Sequence, residues 1–134
     1  MTYDPCFKVK IEKLTGDEYY KVGWKGTNVA TRGNENYAIT PGVGSVTAIK
    51  YNPNMIDTPD GKRPSWVALA HELIHAYYNL KGKALPSGKV QNVYGLVEQE
   101  EMATVGLGGY GRSVTENKIR AEAHLPTRTT YGGL

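Results

Sequence analysis

Cysteine is almost missing from this sequence. Cys6 stands alone, so no internal disulfide can form and the fold must rest on packing, with a metal ion as the other available staple. Solitary and close to the N-terminus, Cys6 reads as a spectator thiol, not a nucleophile or ligand. Long apolar runs are missing too. No stretch nears the ~18 consecutive apolar residues that a membrane span needs, which argues against a membrane partner. The opening MTYDPCFKVK has no apolar h-region, so export would proceed without a Sec-type signal. A basic run is likewise lacking. Sixteen Lys and Arg against 13 Asp and Glu leave a net charge of +3, and the scatter of the cations argues against a nucleic-acid partner. Repeats, low-complexity tracts and internal linkers are not found, and 134 residues suit one domain spanning 1–134, expected to be monomeric.

What is present is ordinary in bulk and specific in detail. Hydrophobic residues at 40% and charged ones at 22% describe a globular chain, and ten tyrosines with 16 glycines point to many turns. Phe7, Val9 and Ile11 alternate with Lys8, Lys10 and Glu12, which predicts a half-buried strand. Thr15 with Glu18 forms a capping-box pattern ahead of Tyr19, Tyr20 and Val22, giving a short helix or a second strand. From 27 to 44 the chain predicts brief strands around Val29 and Tyr37 to Thr40, separated by loops. Ser45 to Tyr51 predicts a better strand, ended by Asn52-Pro53, and Thr58-Pro59-Asp60-Gly61 is a turn that closes the β-rich half.

A helix is predicted from Pro64-Ser65 to about Leu80. Serine can cap its free N–H groups, and Val67, Ala70, His71, Ile74, Tyr77 and Tyr78 recur on one side before Gly82 stops it. Residues 81–91 read as a surface loop, Val93 to about Val105 as a second helix ended by glycine, and Thr115 to Glu122 as a third, stopped before Pro126.

Within the first helix lies HELIH, residues 71 to 75. Histidines four apart project from one face, so His71 and His75 can aim imidazole nitrogens at a single point roughly 2 Å from each. Glu72, one residue round, is placed to reach a water beside the metal and suits a general base. Chance supplies such a match in so short a chain roughly a few times in a thousand. Catalytic zinc keeps three protein ligands, so a third must follow, and the downstream candidates are Glu98, Glu100, Glu101 and His124. Glu101 shares a helical face with Val97, Thr104 and Val105 and is the ligand of choice. Glu98 or Glu100 could instead brace a zinc-bound histidine from behind, and His124, ahead of Leu125-Pro126, reads as surface.

HELIHA followed by Glu100-Glu101-Met102-Ala103-Thr104-Val105-Gly106 resembles the zinc endopeptidase light chain of the clostridial neurotoxins. Toward the C-terminal end stands Arg128-Thr129-Thr130-Tyr131, similar to that family's R-x-x-Y, and Thr115-Glu116 matches a glutamate twelve residues before the arginine. The resemblance implies that Glu101 is the third zinc ligand, that Glu116 braces the site, and that Arg128 and Tyr131 stabilise the transition state. In size the chain is more similar to the NleD-type family of bacterial type III secreted effectors and to related toxin domains. That resemblance implies an effector delivered to the cytoplasm of a host or target cell, acting on a protein substrate such as a host kinase-type signalling protein.

The expectation is therefore an α+β, minimal zincin-like metallopeptidase with a small twisted sheet packed on the HExxH helix and a second helix delivering Glu101. Ser45 to Tyr51 would serve as the edge strand that receives an extended substrate. The rival expectation keeps the zinc but makes the chain a non-catalytic protein-binding module.

Overall fold

The alternation that begins at Phe7 yields a strand, β1 (Val9–Lys10), and from there the chain runs β2 (Val29–Arg32), α1 (Glu35–Ala38), β3 (Thr47–Lys50), β4 (Asp57–Thr58) and β5 (Gly61–Lys62). Next come α2 (Ser65–Leu80), β6 (Lys89–Asn92), β7 (Gly95–Glu98), α3 (Gln99–Val105) and α4 (Glu116–Glu122). This computed structural model describes residues 9–10, 28–58, 61–93 and 95–131. Cys6 and the capping-box segment at 15–22 lie outside the described residues.

The architecture is mixed α+β, with α2 as its axis. On one side α2 meets the three-stranded sheet, ordered β1-β3-β2, with β1 parallel and β2 antiparallel to β3. Its other contacts are with α1, α3 and α4. Small residues let these layers approach: Ala38, Ala68, Ala76 and Ala103 are almost wholly buried beside Ile49, Val67, Ile74 and Val105. Each of the larger four contributes roughly 1.5–3 kcal/mol by leaving water. Tyr77, expected on the inner face, is 36% exposed, because the packed arc centres on His71, His75 and Ala68.

The start of α2 differs from expectation. Pro64 is the cap residue and makes no side-chain cap bond, while Ser65 is already helical, since ψ of 143° at Pro64 places the bend one residue earlier. Its end follows the expected rule. Gly82, at φ +68°, lets its own N–H reach the Asn79 carbonyl and the N–H of Lys83 reach that of Tyr78.

Three further expectations are corrected. Ser45 to Tyr51 is not an edge: β3 lies between β1 and β2, and β2 is an edge strand packed against α2. Residues 37 to 40 form no strand, because the Asn34 side chain accepts from the Tyr37 N–H at 3.0 Å and starts α1 instead. The helix predicted from Val93 begins only at Gln99. Its first half belongs to the β6–β7 hairpin, in which Val90 pairs with Val97 and Gly95 supplies φ +106° beside the turn. The β-rich half therefore does not close at Gly61.

Candidate metal centre

Two imidazoles, one turn apart in α2, meet a carboxylate from the first turn of α3. His71 Nε2 lies 3.5 Å from Glu101 Oε2, and His75 Nε2 is in direct contact with Glu101 Oε1. One ligand atom from each of His71, His75 and Glu101 falls within 4.8 Å of the other two, so the group could hold a metal ion. Zinc ligands about 2.0–2.2 Å from a tetrahedral centre lie roughly 3.3–3.6 Å apart, and the 3.5 Å between His71 Nε2 and Glu101 falls in that range. His71 Nε2 is buried and has no hydrogen-bond partner among the described residues, which leaves its lone pair or proton facing the other two groups. Two imidazoles and a carboxylate are also a donor set that zinc accepts.

Each imidazole is fixed from behind through Nδ1. His71 Nδ1 is 2.7 Å from Glu116 Oε1, and His75 Nδ1 is 3.0 Å from Glu100 Oε2. A carboxylate on Nδ1 orients the ring and leaves Nε2 for the shared point. Of the two glutamates left open by the sequence, Glu100 reaches histidine. Glu98 stands at the N-cap position of α3 without a side-chain cap bond, and its carboxylate accepts from the Gly88 N–H at 2.9 Å.

Neither buried glutamate relies on histidine alone. Glu116, with no exposed surface, takes Arg120 Nε at 2.7 Å, Arg128 Nη1 at 3.2 Å and Arg63 Nη1 at 3.4 Å. Glu100 is gripped by both nitrogens of the Arg112 fork, at 2.9 and 2.5 Å, and also accepts from the Leu85 N–H and the Thr104 hydroxyl. Sequence reasoning missed Arg63, Arg112 and Arg120. Only Arg120 left a signal, standing four residues after Glu116 on the same helix.

The electrostatics follow from burial and pairing. Burial alone would raise the Glu116 carboxyl, but its bond with His71 and the nearby Arg128 and Arg63 outweigh that and hold it at about 2. Glu100 is lowered in the same way, chiefly by Arg112 and His75 against burial. Burial would lower His75, yet Glu101 and Glu100 push it up to about 10, and His71 is raised by Glu101 and Glu116 against its own burial. Since ligating imidazoles are neutral, a cation bound here would compete with the protons that these carboxylates favour on the rings. Glu72 differs: burial raises its carboxyl, and the two imidazoles only partly oppose this.

Glu72, His75, Glu101 and Tyr131 all line one cleft of about 610 Å³, walled on one side by Ala30 and Arg32 of β2. Tyr131 stacks on His71 with ring centroids 5.8 Å apart, and its hydroxyl donates to Glu101. Burial and Glu101 push that phenol well above its ordinary range. The Arg128 guanidinium lies 5.1 Å from the Tyr131 ring centre while bound to Glu116. His124 is exposed at the end of α4, and Val97, once grouped with Glu101, lies in β7.

Residues 8–131 match the effector protein family Peptidase_M91. The chain belongs to that family. Membership makes it a peptidase-type effector, which implies a protein substrate. No curated protein and no solved structure matches it. No helix among the described residues is long and apolar enough to cross a membrane.

Proposed function

We propose that this chain is a zinc-dependent endopeptidase of minimal zincin-like fold, its 134 residues forming a single domain, delivered into a host or target cell to cut a protein there. The observation that carries this reading is the convergence of His71, His75 and Glu101 at the wall of a cleft that a buried Glu72 also lines.

When bound, zinc supplies Lewis acidity toward the scissile carbonyl and acidifies water. The chain's own residues do the rest. His71, His75 and Glu101 hold the ion, with Glu116 and Glu100 fixing the rings. Glu72 takes the proton of the attacking water and returns it to the leaving amine, a task suited to a carboxyl that burial pushes upward. Tyr131, beside Glu101, donates toward the oxyanion, and Arg128 supports it over the ring face. The edge of β2 receives the substrate as an added strand.

Replacing Glu72 tests the reading. In a host-cell lysate the wild-type protein should generate new peptide termini, and Glu72→Gln should lose at least about 100-fold of that cleavage while keeping about one zinc per chain. No new termini from either protein, with zinc retained, would instead mark a zinc-stabilised binding module.

A further inference from the structure

Arg128 and Tyr131 sit in a stretch, 125–131, that has no helix or strand, yet the Tyr131 ring is stacked on His71 and Arg128 is bonded to Glu116, the carboxylate behind that histidine. Two asparagines account for this. The Asn117 side chain, on α4, donates to the Arg128 carbonyl at 2.8 Å and accepts from the Arg128 N–H at 2.7 Å. Asn92, at the end of β6, donates to the Tyr131 carbonyl at 2.5 Å and accepts from the Tyr131 N–H at 3.3 Å. Each side-chain amide thus reproduces the paired bonds by which one residue of an antiparallel strand grips its opposite number. Only one orientation of each amide satisfies both bonds. Burial tells the same story, since Asn92 is 9% exposed while its neighbour Val93 is 79% exposed.

We propose that Asn92 and Asn117 are positioning residues that bracket residues 128–131 and so set Tyr131 over His71 and Arg128 against Glu116. Among the described residues, the bonds of these two amides to this stretch run to the backbone of Arg128 and Tyr131, so each acts through the residue it grips. The β6–β7 hairpin thereby gains a role, as the support that carries Asn92 to the Tyr131 backbone. The kinetic part of this inference rests on the peptidase reading. The placement of the tyrosine ring does not.

Three histidines make the test tractable, because labelled imidazole resonances of His71, His75 and His124 can be followed separately in the zinc-loaded protein. Tyr131→Ala defines the His71 signal without the stacked ring. Asn92→Ala should move the His71 signal at least about halfway toward that position and leave His124 in place. On the peptide spanning the bond mapped in the lysate, Asn92→Ala and Asn117→Ala should each lower kcat about tenfold, with KM within about twofold. In a Tyr131→Phe background, Asn92→Ala should lower kcat by less than about twofold, because the hydroxyl it positions is already gone.

An unmoved His71 signal, or equal fold losses of kcat in both backgrounds, would overturn the proposal. Should Asn92→Ala fail to fold, Asn92→Asp keeps the size and the acceptor but loses the donor, and it is read by the same criteria. A wild-type protein that cuts nothing would sink the peptidase reading and leave the His71 signal to decide the bracket.

Discussion

Behind His71 stands a carboxylate with no exposed surface, gripped by guanidinium groups from the end of the β5 segment, from α4 and from the 125–131 stretch. Behind His75 stands one nearer the surface, gripped by a single fork from Arg112 and helped by Leu85 and Thr104, with Arg32 at 3.9 Å. The two imidazoles do the same work in the proposed site, but the first support is wholly buried among three guanidinium groups, and the second, partly exposed, rests on one guanidinium fork with a main-chain and a hydroxyl donor. Fold stability and site geometry are therefore joined at Glu116 and more nearly separable at Glu100.

The sharpest way to break this contrast is Glu116→Gln. It leaves three arginines in a buried setting with a neutral partner and should cost about 3–5 kcal/mol, a fall in Tm on the order of 10–20 °C by circular dichroism. A change under about 1 kcal/mol would show that the carboxylate is not a stabilising hub.

Acid offers a second, slightly smaller handle. The folded Glu116 carboxyl, held at about 2, lies below its ordinary value of 4.5. Its contribution is therefore complete above pH 4.5 and disappears as the pH falls toward 2, a loss of ~3 kcal/mol. Urea titrations across that window should show a steeper decline for wild type than for Glu116→Gln, and parallel declines would contradict the assignment.

Arg112→Gln should be milder, about 1–3 kcal/mol, since Glu100 retains its bonds from Leu85 and Thr104. Zinc affinity by calorimetric titration should nevertheless drop roughly 10-fold or more, the usual consequence of loosening a group behind a ligand. A larger stability loss than that of Glu116→Gln would invert the contrast. Smallest of the four, Thr104→Val should cost ~1 kcal/mol, because it removes a hydroxyl shared by Glu100 and Arg112 and leaves the Arg112 fork on Glu100 in place.

Much of this was legible before any coordinates. HELIH inside an amphipathic helix named two of the three convergent groups, and the three-to-four spacing of Glu101 from Thr104 and Val105 survives in α3, although Val97 does not belong to that face. The resemblance pointed to Glu116, Arg128 and Tyr131, which the fold brings to the same cleft or directly behind it. What stayed hidden shares one physical cause. Arg63, Arg112, Asn92 and Asn117 act on residues at sequence separations of 53, 12, 39 and 11, and no periodicity within a single element reports such pairs. The β6–β7 hairpin was misread for a related reason: four-residue strands are too short for alternation to outweigh a helical pattern, and its turn lacks the Asn-Gly signature.

The far end of α2 is located by main chain rather than by side chains. A Cβ on Gly82 would lie 1.9 Å from the Thr40 carbonyl oxygen, and one on Gly44 would lie 1.9 Å from that of Leu80. Two backbones thus touch where a single added methyl group would lever the helix outward and carry His75 with it. Substitutions over the outer surface can accumulate without disturbing the imidazoles, whereas these two glycines tolerate none.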